Sequence, residues 1–284
     1  MIFNALTEYV LKKVYSTDPD KVILEAQPVK IGPTQPRESV ISKEQEPSKP
    51  KVAIVVLNWN GLVDTEECLQ SLKKISYPNT QIIVVDNAST DNSVKEIKER
   101  YPEVRLIENK DNMGFCEGNN IGIMAALEQG SDYVLILNND TIVEPDFLEG
   151  LVRVAESNPE IGAVIPKIRC FYNQQKIWFA GYRRVERYST FMQPETELTD
   201  WGRPSDAASG CAILLRRKAL EQIGLFDPRF FFAFEDIDFS VRLKAGGFKI
   251  YYTPKSIVYH KAGQSSSLSE TAVYYRTRNL ALLK

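Results

Sequence analysis

Two acidic residues of this chain follow apolar segments at places where a carboxylate could bind a ligand. Asp86 comes directly after the apolar run 82–85, and Asp140 ends the run 135–140. A carboxylate after a strand, as at Asp86, can accept hydrogen bonds from a base or a ribose. Asp140 has the oxygen ligands that hold a divalent cation against phosphate. The structural alternatives are a helix cap for Asp86 and an Asp-Thr turn for Asp140.

A second acidic pair, Glu235 and Asp236, follows the aromatic run 230–234. Aromatic neighbours would desolvate one carboxylate and raise its pKa, which suits a general base. The alternative is a cap at the start of a helix, where the dipole favours acidic residues. His260 ends the apolar segment 257–259, and a neutral imidazole is a good ligand for a transition metal. A lone histidine is by default structural.

The composition limits the classes of protein that remain. A hydrophobic fraction of 43% excludes wholesale disorder and a collagen-like chain. A net charge of −2 gives no broad attraction for nucleic acid, and a single histidine excludes sites that need two. The four cysteines are far apart, which predicts neither a zinc site nor disulfides and favours a reducing compartment. With no membrane-length apolar run and no secretory signal, the sequence predicts a cytoplasmic protein, with the inner face of the cell membrane as a further location.

The first half of the main domain alternates strands and helices. Strands are predicted at 52–57, 81–85, 104–107 and 133–137, and helices at 65–74, 92–101, 116–129 and 145–157. Short, wholly apolar strands separated by helices predict a mostly parallel α/β sheet covered on both faces. Ligands bind beyond the carboxyl ends of such strands, where the polar clusters 58–61, 86–91, 109–114 and 138–140 fall.

The second half is less regular. Strands are predicted at 162–165, 176–180, 211–215, 248–252 and 257–259, and helices at 216–223 and 235–245. The polar and aromatic stretch 181–206 is predicted to form a hairpin and a loop.

Three regions are expected along the chain. Residues 1–32 contain apolar positions at helical spacing within 2–15 and predict an amphipathic helix. That helix would dock on its own domain or on a partner subunit, giving an oligomer, and the alternative is a peripheral contact with a membrane. Residues 33–50 predict a Pro-rich linker, and 51–284 the main domain, with halves at about 51–145 and 146–284. The final residues 280–284 lie within an apolar run, which suggests a truncated chain or a shortened helix.

Six motifs in order make the chain resemble the family 2 glycosyltransferases of the GT-A fold, particularly the rhamnosyltransferase-like branch. They occupy 55–61, 84–91, 112–122, 137–141, 209–217 and 234–239. The match runs from about 51 to 260, with a weaker tail to 279. The resemblance implies a GT-A fold, a nucleoside-diphosphate sugar donor and inversion at the anomeric carbon. It also implies a glycan or lipid-linked acceptor in surface polysaccharide synthesis. The donor candidates are dTDP-rhamnose and a UDP-sugar.

The resemblance also assigns roles to residues. Asp236 matches the catalytic base, with Glu235 supporting it or binding acceptor. Asp140 matches the last acidic residue of the family's DxD motif and would hold Mg or Mn, and His260 matches a metal ligand of some members. We place the nucleotide-sugar site on Asn58, Asn60, Asp86, Asn87, Gly114, Asn119, Asn138, Asn139 and Arg278. For Arg278 a solvated basic face is an equal alternative.

The chain departs from the family pattern at the metal motif. Asn138-Asn139-Asp140 keeps a single carboxylate, so a second ligand from His260 becomes more important. The departure motivates one alternative function, a degenerate transferase that binds nucleotide sugar or a partner without turnover. A sugar nucleotidyltransferase is another alternative. It is disfavoured because the loop after the first strand, 58–61, has no basic residue.

Overall fold

The computed structural model describes residues 49–185, 188–191, 202–261 and 270–283. The predicted helix at 2–15 and the linker up to residue 48 lie outside the described residues, as does the predicted loop at 192–201.

The predicted alternation of strands and helices in the first half is confirmed. The elements are β1 Val52–Asn58, α1 Leu62–Leu72, β2 Thr80–Asp86, α2 Ser93–Arg100, β3 Arg105–Glu108, α3 Gly114–Glu128, β4 Tyr133–Asn138, β5 Thr141–Val143 and α4 Phe147–Glu156. Parallel pairing joins β1 to both β2 and β4, and β2 to β3. The residues of β1 from 52 to 56 are fully buried, as expected of a central strand covered by helices on both faces.

The second half extends the same sheet with a strand of opposite direction. Its elements are β6 Ile161–Cys170, β7 Asn173–Phe179, β8 Tyr182–Val185, β9 Tyr188–Phe191, β10 Arg203–Ser205, β11 Ala212–Arg216, α5 Arg217–Ile223, α6 Glu235–Ala245, β12 Lys249–His260 and α7 Glu270–Leu282. The sheet runs β10-β12-β6-β11-β4-β1-β2-β3, with β5 on β12 and β7 on β6. Because β11 is antiparallel to both β4 and β6, it joins the two halves. The predicted hairpin is present as the antiparallel pair β8–β9.

Some boundaries differ from the prediction. The strands predicted at 248–252 and 257–259 form one strand, β12, whose register against β6 shifts between Thr253 and Ile257. Pro254 lies in that interval and has no N–H to donate, so an irregularity there continues the strand past the proline. The three-residue strands β5 and β10 were not predicted, because so short a segment carries no periodic signal. Helix α7 was also missed.

The end of β12 brings distant parts of the chain together. The short strand β5 is antiparallel to β12 and pairs Thr141 with His260. Asp140, which directly precedes β5, therefore lies beside the histidine, 120 positions further along the chain. Within the described ranges, none of the helices has the length and apolar character that a transmembrane span requires.

Helix α3 packs unusually close to the sheet. A Cβ on Gly122 would lie 2.3 Å from Val55 Cγ1, and one on Gly118 would lie 2.6 Å from Leu57 Cδ1. Glycine at these two positions lets the helix backbone approach β1 directly. This close approach fixes the start of α3 near the carboxyl ends of β1 and β2.

Candidate active site

A hydrogen-bonded network of polar side chains joins the ends of β1 and β2. The buried Asn58 amide donates to Asp86 Oδ2 at 2.7 Å and to Ser89 Oγ at 3.1 Å. Asp86 Oδ1 accepts a bond of 2.8 Å from the Ser89 backbone N–H, and Thr65 Oγ1 donates to Asn58 Oδ1 at 2.7 Å. Each carboxylate oxygen has two lone pairs, so Asp86 keeps acceptor capacity for a ligand while its orientation is fixed.

Asn60 and Asn139 extend this network. Asn60 has a positive φ of 51°, which asparagine tolerates better than most residues. Its Oδ1 accepts the Thr90 N–H at 2.7 Å, which shapes the loop after β2. The Asn139 amide donates to Thr65 Oγ1 at 3.0 Å and to Asn58 Oδ1 at 3.4 Å. The structure therefore brings together Asn58, Asn60, Asp86 and Asn139.

Asn87 connects this edge of the sheet to the start of α3. Its amide donates to Gly114 O at 2.9 Å, and its Oδ1 accepts from Asn109 at 2.8 Å. Gly114 has a φ of 74°, and a Cβ there would lie 2.6 Å from Phe231 O, so both backbone shape and space require glycine. Asn119 is buried and donates to its own helix, while its Oδ1 accepts no hydrogen bond from the described part of the chain.

Asp140 and His260 form the candidate metal site. Asp140 Oδ1 lies 3.1 Å from His260 Nε2, and both residues are largely buried. Burial alone would lower the pKa of His260, but the neighbouring Cys211 and Asp140 raise it above the usual value. A cation that binds His260 Nε2 would have to displace the proton that a protonated imidazole carries there. The side chain of Trp178, 41% exposed, packs edge-on against the imidazole with ring centroids 4.7 Å apart.

The donor set fits a cation that also takes ligands from a substrate. No group of three or more His, Cys, Asp or Glu that could hold a metal occurs within the described ranges. One carboxylate and one imidazole leave coordination positions for diphosphate oxygens and water, and the imidazole favours Mn over Mg. Lys261 anchors this end of β12. Its Nζ lies 2.6 Å from carboxylate oxygens of both Asp64 and Glu67 of α1, and its backbone N–H donates to the backbone oxygen of Asp140.

The acidic pair occupies the first turn of α6. Asp236 Oδ2 accepts the Gly210 N–H at 3.2 Å, and its Oδ1 accepts the Ile237 N–H at 2.9 Å. Glu235 is 8% exposed, and its Oε2 receives no hydrogen bond within the described residues. Burial, together with the charge of Asp236, raises the pKa of Glu235 to about 8, and burial also raises the pKa of Asp236.

Residues 210 and 211 join the acidic pair to the metal motif. Cys211 O accepts the Asn138 N–H at 2.9 Å, while the preceding residue, Gly210, donates to Asp236. The segment entering β11 therefore contacts both the carboxyl end of β4 and the first turn of α6. The site predicted from separate motifs is contiguous at this point.

Arg278 contacts the segment that precedes the acidic pair. Its guanidinium donates to Arg229 O and to Asn279 Oδ1, and it lies over the Tyr275 ring at 4.8 Å. Its contact with a diphosphate stays a prediction.

Several residues of the site carry no sequence signal of their own. Thr65 lies within an ordinary amphipathic helix, and Gly210 contributes only its backbone N–H. Trp178 belongs to an irregular strand of mixed polarity. Ser89 lies inside the motif 84–91 and Gly210 inside the motif 209–217, but neither was singled out, and the structure gives Ser89 contacts with Asn58 and Asn60.

The sheet order agrees with the predicted GT-A fold, and comparisons with known proteins identify the chain as a glycosyltransferase. The chain belongs to the glycosyltransferase like family 2, whose family model matches residues 50–279.

Two relatives and one solved structure illustrate the similarity. The chain is 28% identical over 234 residues to an N-acetylglucosaminyl-diphospho-decaprenol L-rhamnosyltransferase of Mycobacterium tuberculosis, covering 74% of this chain and 76% of the relative. It is 27% identical to an O-antigen biosynthesis protein of Myxococcus xanthus, covering 76% of this chain and 18% of that protein. The crystal structure of GalNAc-T7 with UDP, GalNAc and Mn²⁺ superposes with a TM-score of 0.69 at 18% identity, covering 86% of this chain and 51% of that one.

Proposed function

We propose that this protein is an inverting, metal-dependent glycosyltransferase. It transfers a sugar from a nucleoside-diphosphate sugar to a hydroxyl of a lipid-diphosphate-linked glycan. The observation that carries the proposal is the link through residues 210 and 211. This link places the acidic pair of α6 next to the Asn138–Asp140 motif on a family 2 chain. A base is thereby held next to the group that would bind the donor diphosphate.

The nucleoside half of the donor is assigned to the network at the ends of β1 and β2. Asp86 is held by Asn58 and Ser89 and retains lone pairs that can accept from a base or a ribose. Asn119 Oδ1, which accepts no hydrogen bond within the described residues, offers a further acceptor in α3. Because these groups are already fixed by protein hydrogen bonds, little ordering is required when the donor binds.

Asp236 is assigned as the base. Two backbone N–H groups stabilise its ionised form and aim the carboxylate, and burial raises its pKa toward a value useful for proton abstraction. Glu235 has a pKa near 8 and is therefore largely protonated at neutral pH, which avoids two adjacent buried charges. The acceptor hydroxyl gives its proton to Asp236 as its oxygen attacks the anomeric carbon opposite the diphosphate. One displacement without a covalent intermediate inverts that carbon.

Asp140 and His260 would hold Mg²⁺ or Mn²⁺, which stabilises the negative charge that develops on the departing nucleoside diphosphate. The single carboxylate of the Asn-Asn-Asp motif is compensated by the imidazole, which the β5–β12 pairing brings to 3.1 Å. Trp178 packs on the imidazole and limits its rotation. The presence of Mn²⁺ in the GalNAc-T7 structure supports a divalent cation for this fold in general.

The similarity to the mycobacterial relative favours dTDP-rhamnose as donor and an N-acetylglucosaminyl-diphospho-lipid as acceptor. A lipid-linked acceptor requires the enzyme to work at a membrane surface, so we propose a cytoplasmic protein with peripheral membrane contact. An oligomer formed through residues 1–32 belongs to the same proposal and is independent of the chemistry.

A transfer assay tests the proposed function. The chain is incubated with Mn²⁺, a soluble short-chain analogue of the N-acetylglucosaminyl-diphospho-lipid, and either dTDP-rhamnose or UDP-N-acetylglucosamine. We expect acceptor-dependent release of nucleoside diphosphate, a product of inverted anomeric configuration by NMR, and loss of both in excess chelator. Undiminished transfer in chelator would exclude the metal assignment of Asp140 and His260. Binding of donor without any acceptor-dependent release would instead favour the degenerate binding module.

A further inference from the structure

The segment 229–234, which leads into the acidic pair, has an unusual backbone. Ala233 and Phe234 both have a φ of 70°, a left-handed conformation that residues with a Cβ rarely adopt. Neither alanine nor phenylalanine has a polar side chain to stabilise it locally. Two consecutive residues in this conformation persist only where the surroundings hold them.

Asn279 of α7 makes the contacts that hold this segment. The side chain is fully buried, and its Nδ2 donates to Phe232 O at 2.7 Å and to Ala233 O at 2.8 Å. Both N–H groups of the amide are therefore used on two successive carbonyls, directly before the acidic pair. Removing this donor would leave two partly buried carbonyls without it, which is unfavourable, so the turn depends on this amide.

Arg278 fixes the orientation of that amide. Its Nε and Nη2 donate to Asn279 Oδ1 at 2.9 and 2.7 Å, and its Nη2 also donates to Arg229 O. The oxygen of the Asn279 amide is thus directed to the guanidinium, and its nitrogen is directed to the carbonyls. This arrangement gives the Arg278 side chain a defined partner within the protein.

The same segment is held from its other side by α3. Phe231 O accepts the Phe115 N–H at 2.8 Å, and the Phe231 ring stacks on Tyr275 of α7 at 4.8 Å and 17°. The segment therefore lies between α3, the helix that starts at Gly114, and α7, the last helix of the described chain.

We propose that Asn279, oriented by Arg278, is a positioning residue. It holds the left-handed turn at Ala233 and Phe234. In this way it fixes the orientation of the Glu235 and Asp236 side chains in the first turn of α6. The inference rests on the proposed function, in which Asp236 receives the proton of the acceptor. A displacement of about 1 Å in such a group lowers turnover by as much as about 10²-fold.

The test compares two Asn279 variants with a control on the same helix. Asn279→Asp keeps the shape of the side chain but replaces both N–H donors with an acceptor, and Asn279→Leu removes all polarity. We expect kcat to fall about 10–10²-fold in both variants, because the base is misplaced. The affinity for Mn²⁺-UDP and Mn²⁺-dTDP, and the KM for the donor, should stay within about two-fold, because the donor network makes no contact with Asn279. Thr277→Ala, at an exposed position of α7, should leave all these values unchanged.

Amide hydrogen exchange provides the readout that does not depend on turnover. We expect faster exchange at 232–240 in Asn279→Asp, with unchanged exchange at 82–95. If Asn279→Asp exchanged at 232–240 as slowly as the wild type, the inference would be overturned. The same holds if exchange became faster but kcat did not change. Parallel losses of nucleotide binding, kcat and thermal stability would also overturn it, because they indicate a general structural role. Absence of transfer by the wild-type chain would overturn the proposed function, while the exchange result still decides whether Asn279 holds the turn.

Discussion

Two neighbouring carboxyl groups at the start of α6 have different surroundings, although both are largely removed from water. Asp236 accepts two backbone N–H bonds, whereas Glu235 Oε2 accepts none within the described residues. Hydrogen bonds favour the ionised form, so the negative charge of the pair resides mainly on Asp236. This division of charge gives each residue a separate test.

Replacing Asp236 with asparagine should abolish the base while preserving the fold. We expect Asp236→Asn to lower turnover by roughly 10²–10⁴-fold in the transfer assay, with an unchanged melting temperature at neutral pH or an increase. Asp238→Asn is the matched control, because Asp238 lies in the same first turn but pairs with Arg242 at 2.8 Å. Its turnover should stay close to wild type. Near-normal transfer by Asp236→Asn would remove this residue from the proposed role.

Glu235 should make the stability of the protein depend on pH. Its pKa is about 8 in the folded state, against an ordinary value near 4.5, so the folded protein retains a proton that the unfolded chain loses. The contribution of this carboxyl group to the free energy of unfolding should therefore be fully present below about pH 4.5 and decline as pH rises to about 8. Melting temperatures measured across this range should decline less in Glu235→Gln than in the wild type. Glu128→Gln, at an exposed position of α3, is the control and should show the same decline in melting temperature as the wild type. If Glu235→Gln also showed the wild-type decline, the Glu235 carboxyl group would already be ionised in the folded state.

Residue types predicted some partners at this scale but not others. Asp86 was identifiable because it directly follows an apolar run, and Asp140 because it ends the Asn-Asn-Asp motif after one. The resemblance paired Asp140 with His260 as metal ligands, but the residue pattern alone did not predict their contact, since the three residues of β5 that bring it about have no pattern of their own. Asn279 was missed because a buried amide inside a helix has the same sequence appearance as a solvated one.

Among the elements, α3 is the one whose position depends most on small side chains. Gly122 allows its backbone to approach Val55 and Val85 of the central strands. The Asn120 side chain both donates to and accepts from the backbone of Phe226, at 2.8 and 3.0 Å, which anchors the opposite face. Helix α3 is therefore fixed from two directions, and its first residue, Gly114, accepts a hydrogen bond from the Asn87 amide of the polar network.

A methyl group at Gly122 should be costly even though alanine is a better helix former. The added Cβ would lie 2.3 Å from Val55 Cγ1, so the helix or the strand has to move. We expect Gly122→Ala to lower the free energy of unfolding by about 1–3 kcal/mol in urea denaturation. Met124→Ala, at an exposed position two residues further on, should change it by less than about 0.5 kcal/mol. Equal stability of the two variants would show that the sheet accommodates the extra volume.

Element prediction succeeded where periodicity was long and failed where geometry was local. The buried strands β1, β2 and β4 and the helices between them were found within a few residues, because apolar runs of that length have few alternatives. The division of β12 into two predicted strands was wrong, because Pro254 normally interrupts a strand and only a register shift allows it to continue. Helix α7 was missed because its apolar and polar residues do not separate into clear faces.

At the scale of the whole molecule, the sheet has two parts of different local character. In the part of the chain that the structure describes, strands β1 to β4 pair only with one another and with β11, while β6, β10 and β12 complete the far side. The motifs predicted the first part well, because each strand is followed closely by its polar cluster. They could not predict that β11 would enter between β4 and β6, since a single antiparallel strand has no distinguishing composition.

That strand order has a consequence for synthesis of the protein. Within the described residues, every strand that pairs with β1, β2 or β3 has been synthesised by residue 138, whereas β4 must wait for residues 212–216 before its second edge is covered. An early intermediate of β1–β4 would therefore expose the apolar edge of β4 during the translation of more than seventy further residues. Exposed strand edges pair readily with other chains. Nascent chains stalled shortly before β11 are thus the stage at which this protein should depend most on chaperones.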